Sequence, residues 1–127
     1  SVATTSTSFQ NSGAAVTITP QFSDSLIVCD FCATMSKIVP SSTGALVTRL
    51  LLNSVAYGGP YTTGYMTSSD TSFSSYQPTV FKTVHTNLAA GTAVEFKLQF
   101  STDASGQNVV MANNLSSITM TVSEIAQ

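Results

Sequence analysis

Between Val94 and Phe100 the chain alternates without a fault: Val94, Phe96, Leu98 and Phe100 are apolar, and Glu95, Lys97 and Gln99 between them are charged or polar. Successive side chains of an extended strand point to opposite faces, so this period of two sends four residues to a core and three to solvent. A slip of one residue would turn all of them to the wrong side, which specifies the register strongly. The same period recurs along the chain between clusters of Gly, Pro, Asn, Asp and Ser, while helical periodicity is almost missing. The fold is therefore expected to be all-β.

Residues 14–19 set Val16 and Ile18 against Thr17 and Thr19, and Pro20 ends that strand. The long strand 26–36 carries Ile27, Cys29, Phe31, Ala33 and Met35 on one face and Leu26, Val28, Asp30, Cys32 and Thr34 on the other. Both faces are partly apolar, as in a central strand whose second face is covered by another sheet or by a neighbouring subunit. Further strands are expected over 46–53, 79–85, 94–100, 109–111 and 117–125, with turns at Asn11-Ser12-Gly13, Asn53-Ser54, 87–91 and 103–106 and a break at Asn113-Asn114. Residues 1–10 read as an N-terminal arm or an edge strand. About eight strands result, which suits a single antiparallel β-sandwich domain, jelly-roll-like, over 1–127.

Residues 58–78 lack a core pattern and read as a long loop. Loops beyond roughly 12–15 residues are usually functional or disordered. Tyr57, Tyr61, Tyr65, Phe73 and Tyr76 lie in or beside this one, among serines and threonines, and form the candidate binding surface for a glycan or a protein. Aromatic residues are equally suited to a subunit interface.

Composition narrows the function. Only 8% of the residues are charged, against about 25% in an ordinary soluble domain. A surface this poor in charge is best explained by burial against partners. Lys37, Arg49, Lys82 and Lys97 stand one by one at a net charge of -2, so there is no electrostatic footprint for nucleic acid. Apolar runs are far short of the roughly 18 residues of a membrane helix, and no membrane insertion is expected. Residues 1–10 have neither the basic nor the apolar region of a secretory signal. The chain is thus expected to be soluble, or a mature or excised piece of a longer one.

Cys29 and Cys32 form a Cys-x-x-Cys, but three apart in a strand they face opposite sides, a poor geometry for a disulfide or a shared metal. The lone His85 does not complete a four-ligand zinc site. Two free thiols are expected, as in a protein matured in a reducing cytoplasm, with no metal and no cofactor. His85 is also the only imidazole for a Ser-His-acid triad, and no Gly-x-Ser-x-Gly elbow accompanies it. Asp24, Asp70 and Asp103 are isolated, which argues against a calcium loop. No catalytic residues are assigned, and the chain is expected not to be an enzyme.

Two end segments carry a resemblance. Thr5-Ser-Thr-Ser-Phe-Gln-Asn-Ser-Gly-Ala-Ala-Val-Thr-Ile-Thr-Pro20, then Ser25-Leu-Ile-Val28, resembles the opening of a β-sandwich domain of tail fibres and other exterior virion proteins of tailed bacteriophages, cyanophages included. Ser116-Ser-Ile-Thr-Met-Thr-Val-Ser-Glu-Ile125 is similar to the closing strand of that family, and Thr48-Arg-Leu-Leu51 to its Arg-Leu-Leu strand. Leu52-Asn-Ser54 and Thr86-Asn-Leu88 depart from the corresponding family turns. The resemblance implies a non-enzymatic structural module, usually a homotrimer, on the virion exterior and assembled in the host cytoplasm. It transfers no catalytic residue.

The favoured expectation is a trimeric tail-fibre or appendage domain that contacts the host surface, with other virion proteins as further partners. A capsid decoration or cement protein that stabilises the phage head is the alternative within the same class. A bacterial lectin or adhesin module is the alternative outside it. Arg49 and Glu124 both sit in otherwise apolar strands and are expected to pair structurally, since a lone buried charge is costly.

Overall fold

The computed structural model describes residues 2–39, 43–67, 75–103, 108–111 and 118–127. The strands in chain order are β1 (Val2–Thr4), β2 (Gln10–Ile18), β3 (Leu26–Val39), β4 (Thr43–Leu52), β5 (Val55–Thr67), β6 (Ser75–His85), β7 (Val94–Thr102), β8 (Asn108–Met111) and β9 (Ile118–Ile125). No helix occurs among the described residues.

One sheet runs β1-β8-β3-β6, with β9 also paired to β3, and the other runs β2-β7-β4-β5. β8 lies opposite Ser36 to Val39 of β3, and β9 opposite Leu26 to Ala33 of the same strand, on the edge away from β6. They are successive halves of one strand position. Eight positions therefore result, and every pairing is antiparallel: β1 with β8, β2 with β7, β3 with β6 and β4 with β5. This nested pairing is a hairpin folded over on itself, a jelly roll.

The alternation read in β7 is borne out. Val94, Phe96, Leu98 and Phe100 are buried, and Glu95, Lys97 and Gln99 face outward. Across the sandwich, β3 supplies Ile27, Cys29, Phe31 and Ala33, and β4 adds Leu46 and Leu50. Two groups fill the interior: Phe31, Ala33, Leu46, Leu98 and Phe100 toward one end, and Ile27, Cys29, Leu50, Val94 and Phe96 toward the other. Met120 of β9 touches both groups and joins them into one core.

Three expectations are corrected. Residues 58–78 are not one long loop, because β5 continues to Thr67 and β6 begins at Ser75. β5 and β6 each close an edge of their sheet, where Pro60 and Pro78 can sit without breaking a central ladder. Asn11-Ser12-Gly13 does not turn the chain either. It lies inside β2, where Ser12, Gly13 and Ala14 stand opposite Leu98 alone, a bulge in the ladder. Ser12 is buried there and donates from its hydroxyl to Leu98 O (2.9 Å), while Ala14 N donates to Ser12 Oγ (3.1 Å). The bulge thus keeps its polar groups satisfied through a side chain. The third correction concerns Arg49 and Glu124 and is taken up below. The 103–106 turn beyond Asp103, the Asn113-Asn114 break, Asp70 and Phe73 lie outside the described residues.

The two-residue turn between β4 and β5 follows expectation. Leu52 pairs with Val55, and Asn53 and Ser54 both take positive φ, 47° and 68°, the conformation of a type I′ hairpin. Asn tolerates this region and Ser does so poorly. Ser54→Gly is expected to raise the unfolding free energy by about 0.5–1 kcal/mol, read from denaturant midpoints at unchanged slope.

Candidate functional site

The outward face of the β2-β7-β4 layer holds a connected polar cluster. Alternation turns Glu95, Lys97 and Gln99 of β7 outward, and the register sets Asn11 of β2 and Arg49 of β4 on either side of Gln99. Arg49 Nε donates to Gln99 Oε1 at 2.9 Å, and Gln99 Nε2 donates to Asn11 Oδ1 at 2.9 Å. The order of donors fixes which way the Gln99 amide points. Phe9 covers the guanidinium, its ring centroid 4.1 Å from Cζ. The arm that brings Phe9 there is held by Thr102 N donating to Ser6 O at 3.0 Å. Lys97 Nζ lies 3.0 Å from Glu95 Oε1.

Arg49 and Glu124 accordingly do not pair. They belong to different sheets, and each finds partners nearer home. Glu124, at the end of β9, accepts the Gln21 N–H at 2.9 and 3.0 Å on its two oxygens, the Phe22 N–H at 3.0 Å and the Ser25 hydroxyl at 2.6 Å. The Ser25 hydroxyl, then the Gln21 and Phe22 amides, hold its carboxyl below the ordinary range. Its role is to strap the segment after Pro20 onto the last strand. Sequence reasoning looked for a charge partner, whereas backbone N–H groups satisfy a carboxylate as well.

Of the aromatic candidates, Tyr57 is the one whose side chain is described. Its ring packs on His85 with centroids 4.3 Å apart, and Phe96 meets the other side of His85 edge-on at 4.9 Å. Tyr57 therefore serves packing, closing the end of the core while keeping 41% of its surface exposed. Tyr61 and Tyr65 lie on β5 opposite Thr48 and Ala45, and Tyr76 lies on β6 opposite Lys37, so these three occupy paired strand rather than one loop.

His85 is 2% exposed, with Nε2 at 2.8 Å from Thr83 Oγ1 and Nδ1 without a partner among the described residues. Burial holds its imidazole below the ordinary value. Cys29, opposite Thr83, is buried, and desolvation pushes its thiol up to about 11 despite a hydrogen bond from Thr83. As expected, Cys32 faces the other way and both thiols are free. A sealed imidazole beside a protonated thiol offers no accessible nucleophile and no poised base.

Comparison with family models, with curated proteins and with solved structures returns no match. Chemically, the surface offers hydrogen-bond donors and acceptors in fixed directions on a rigid sheet, which suits recognition. Asn11 and Gln99 were missed as site residues because one read as a turn and the other as a solvent-facing alternate. The signal available was the outward position of Gln99 between two strands whose pairing the sequence leaves open.

Proposed function

We propose that this chain is a non-enzymatic structural protomer of a tailed-bacteriophage virion exterior, a homotrimeric tail-fibre or appendage domain that meets the host surface. The observation that carries this reading is the outer face of the β6-β3-β9 layer. Val28, Asp30 and Cys32 of β3 stand beside Val84, Lys82 and Val80 of β6 and beside Ser123, Thr121 and Thr119 of β9. Val80 and Val84 are 65% and 49% exposed. The single ion pair among the described residues of this face, Lys82 Nζ to Asp30 Oδ1 at 3.4 Å, neutralises itself. A face whose one ion pair neutralises itself and whose other side chains are β-branched or small can be covered by further copies without stranding a charge. It also accounts for the apolar residues on both sides of β3. The end motifs supply the virion setting, and three protomers on one particle would combine weak contacts into firm attachment.

Sedimentation of the chain at micromolar concentration is expected to show a trimer, and the double variant Val80→Lys with Val84→Lys a folded monomer, because it crowds cations around Lys82. A monomeric wild type would remove the reading. Binding of the trimer to host cells but not to capsids is expected; binding to capsids alone would replace attachment with capsid decoration.

A further inference from the structure

Where β2 leaves its ladder between Asn11 and Ala15, a cavity of about 170 Å3 opens, lined by Asn11, Gly13, Ala14, Ala15 and Lys97. Its floor is nearly bare of side chains, with two alanines and a glycine at φ 85°, a backbone conformation that other residues strain to adopt. Its rim is polar and already oriented. Because Asn11 Oδ1 accepts from Gln99, the Asn11 amide N–H2 is left as the outer polar end of the Arg49-Gln99-Asn11 chain, on a residue that lines the cavity. Lys97 is held 3.0 Å from Glu95, so cation and carboxylate stand side by side.

We infer that this cavity binds the terminal unit of a neutral saccharide. A sugar ring has an apolar C–H face to lay on exposed Ala15 and the bare backbone of Gly13, and hydroxyls that both donate and accept. Asn11 and Lys97 line the cavity, and Asn11 Nδ2 and Lys97 Nζ are donors to those hydroxyls. An anionic sugar fits less well, since the one cation of the lining is already neutralised and Glu95 would repel a second carboxylate. The volume is below the roughly 300–1,000 Å3 of pockets for larger ligands and suits one ring. Such a site alone should bind with a Kd of about 1–10 mM and gain its useful strength from repetition on a trimer. The inference deepens the attachment reading and rests on it for the source of the glycan.

Amide NMR titration of the chain with D-glucose, D-galactose and D-mannose, and with D-glucuronate as the anionic counterpart, tests it. At least one neutral sugar is expected to shift the amides of Gly13, Ala14, Ala15 and Lys97. Asn11→Asp keeps the oxygen that Gln99 needs and deletes the donor; Lys97→Met keeps the stem and deletes the ammonium. Each is expected to weaken binding about tenfold with the rest of the spectrum unchanged. Absence of shifts with every neutral sugar, unaltered binding in both variants, or tighter binding of glucuronate would overturn the proposal. Sugar binding without attachment to host cells would remove the attachment reading alone, whereas attachment without sugar-induced shifts would remove this cavity alone.

Discussion

Replacing Phe31 with Ala is expected to lower the unfolding free energy by about 3–5 kcal/mol, the cost of deleting a buried ring and leaving its cavity. Phe31 is 1% exposed and packs with Ala33, Leu46, Leu98 and Phe100. It sits on the strand that pairs with β6 on one side and with β8 and β9 on the other, so the surrounding backbone has little freedom to collapse into the gap. Domains of this size are stable by only about 5–15 kcal/mol, so the loss removes a large share of the total. Phe22→Ala is the matched comparison, because Phe22 is 52% exposed and its loss should change stability by no more than about 0.5 kcal/mol. Denaturant titration of both at one protomer concentration checks the pair, since self-association makes midpoints concentration-dependent. Equal midpoints would show that β3 does not organise the core.

Stability is expected to fall on both sides of a plateau between about pH 6.5 and pH 9. On the alkaline side the cause is Cys29. Its thiol is raised from 9.0 to about 11 by burial, so in that interval the unfolded chain gives up a proton that the folded chain keeps. The contribution is fully present below pH 9 and is lost as pH rises toward 11, by roughly 2–3 kcal/mol at about 1.4 kcal/mol per unit. On the acid side, His85 is lowered by burial, so the unfolded chain takes up a proton first and stability falls once pH drops below about 6.5. Glu124, lowered by its Ser25, Gln21 and Phe22 hydrogen bonds, steepens the loss further into acid. Chemical denaturation of wild type and Cys29→Ala from pH 7 to pH 11 isolates the thiol. The stability difference between the two should change by those 2–3 kcal/mol, and parallel curves would contradict the assignment.

The strands with one buried face were legible before any coordinates. β7 alternates because its two sides meet different environments, and the opposite facing of Cys29 and Cys32 follows from the same rule. The Asn53-Ser54 hairpin was legible because Asn and Ser are turn-forming residue types and Asn tolerates positive φ. β5 was not, since Gly and Pro read as breakers and only its place at a sheet edge makes them harmless. The bulge at Gly13 read as a turn because the same residue types serve both, and the choice depends on what lies opposite.

The amino-acid sequence by itself determined that the chain is all-β, where most strands outside β5 and the bulged part of β2 lie, which face of a strand such as β7 is apolar, and that charged residues are few. These are local or compositional properties, written in periods of two and in side-chain chemistry. The tertiary structure alone decided which strands are neighbours, and with that the site. Arg49, Gln99 and Asn11 meet because β4, β7 and β2 lie in that order, whereas Glu124 is drawn to the backbone at Gln21 and Phe22. Hydrogen-bonded neighbours in a jelly roll are joined by long-range pairing, and nothing in the spacing of residues 11, 49 and 99 records that they share one face.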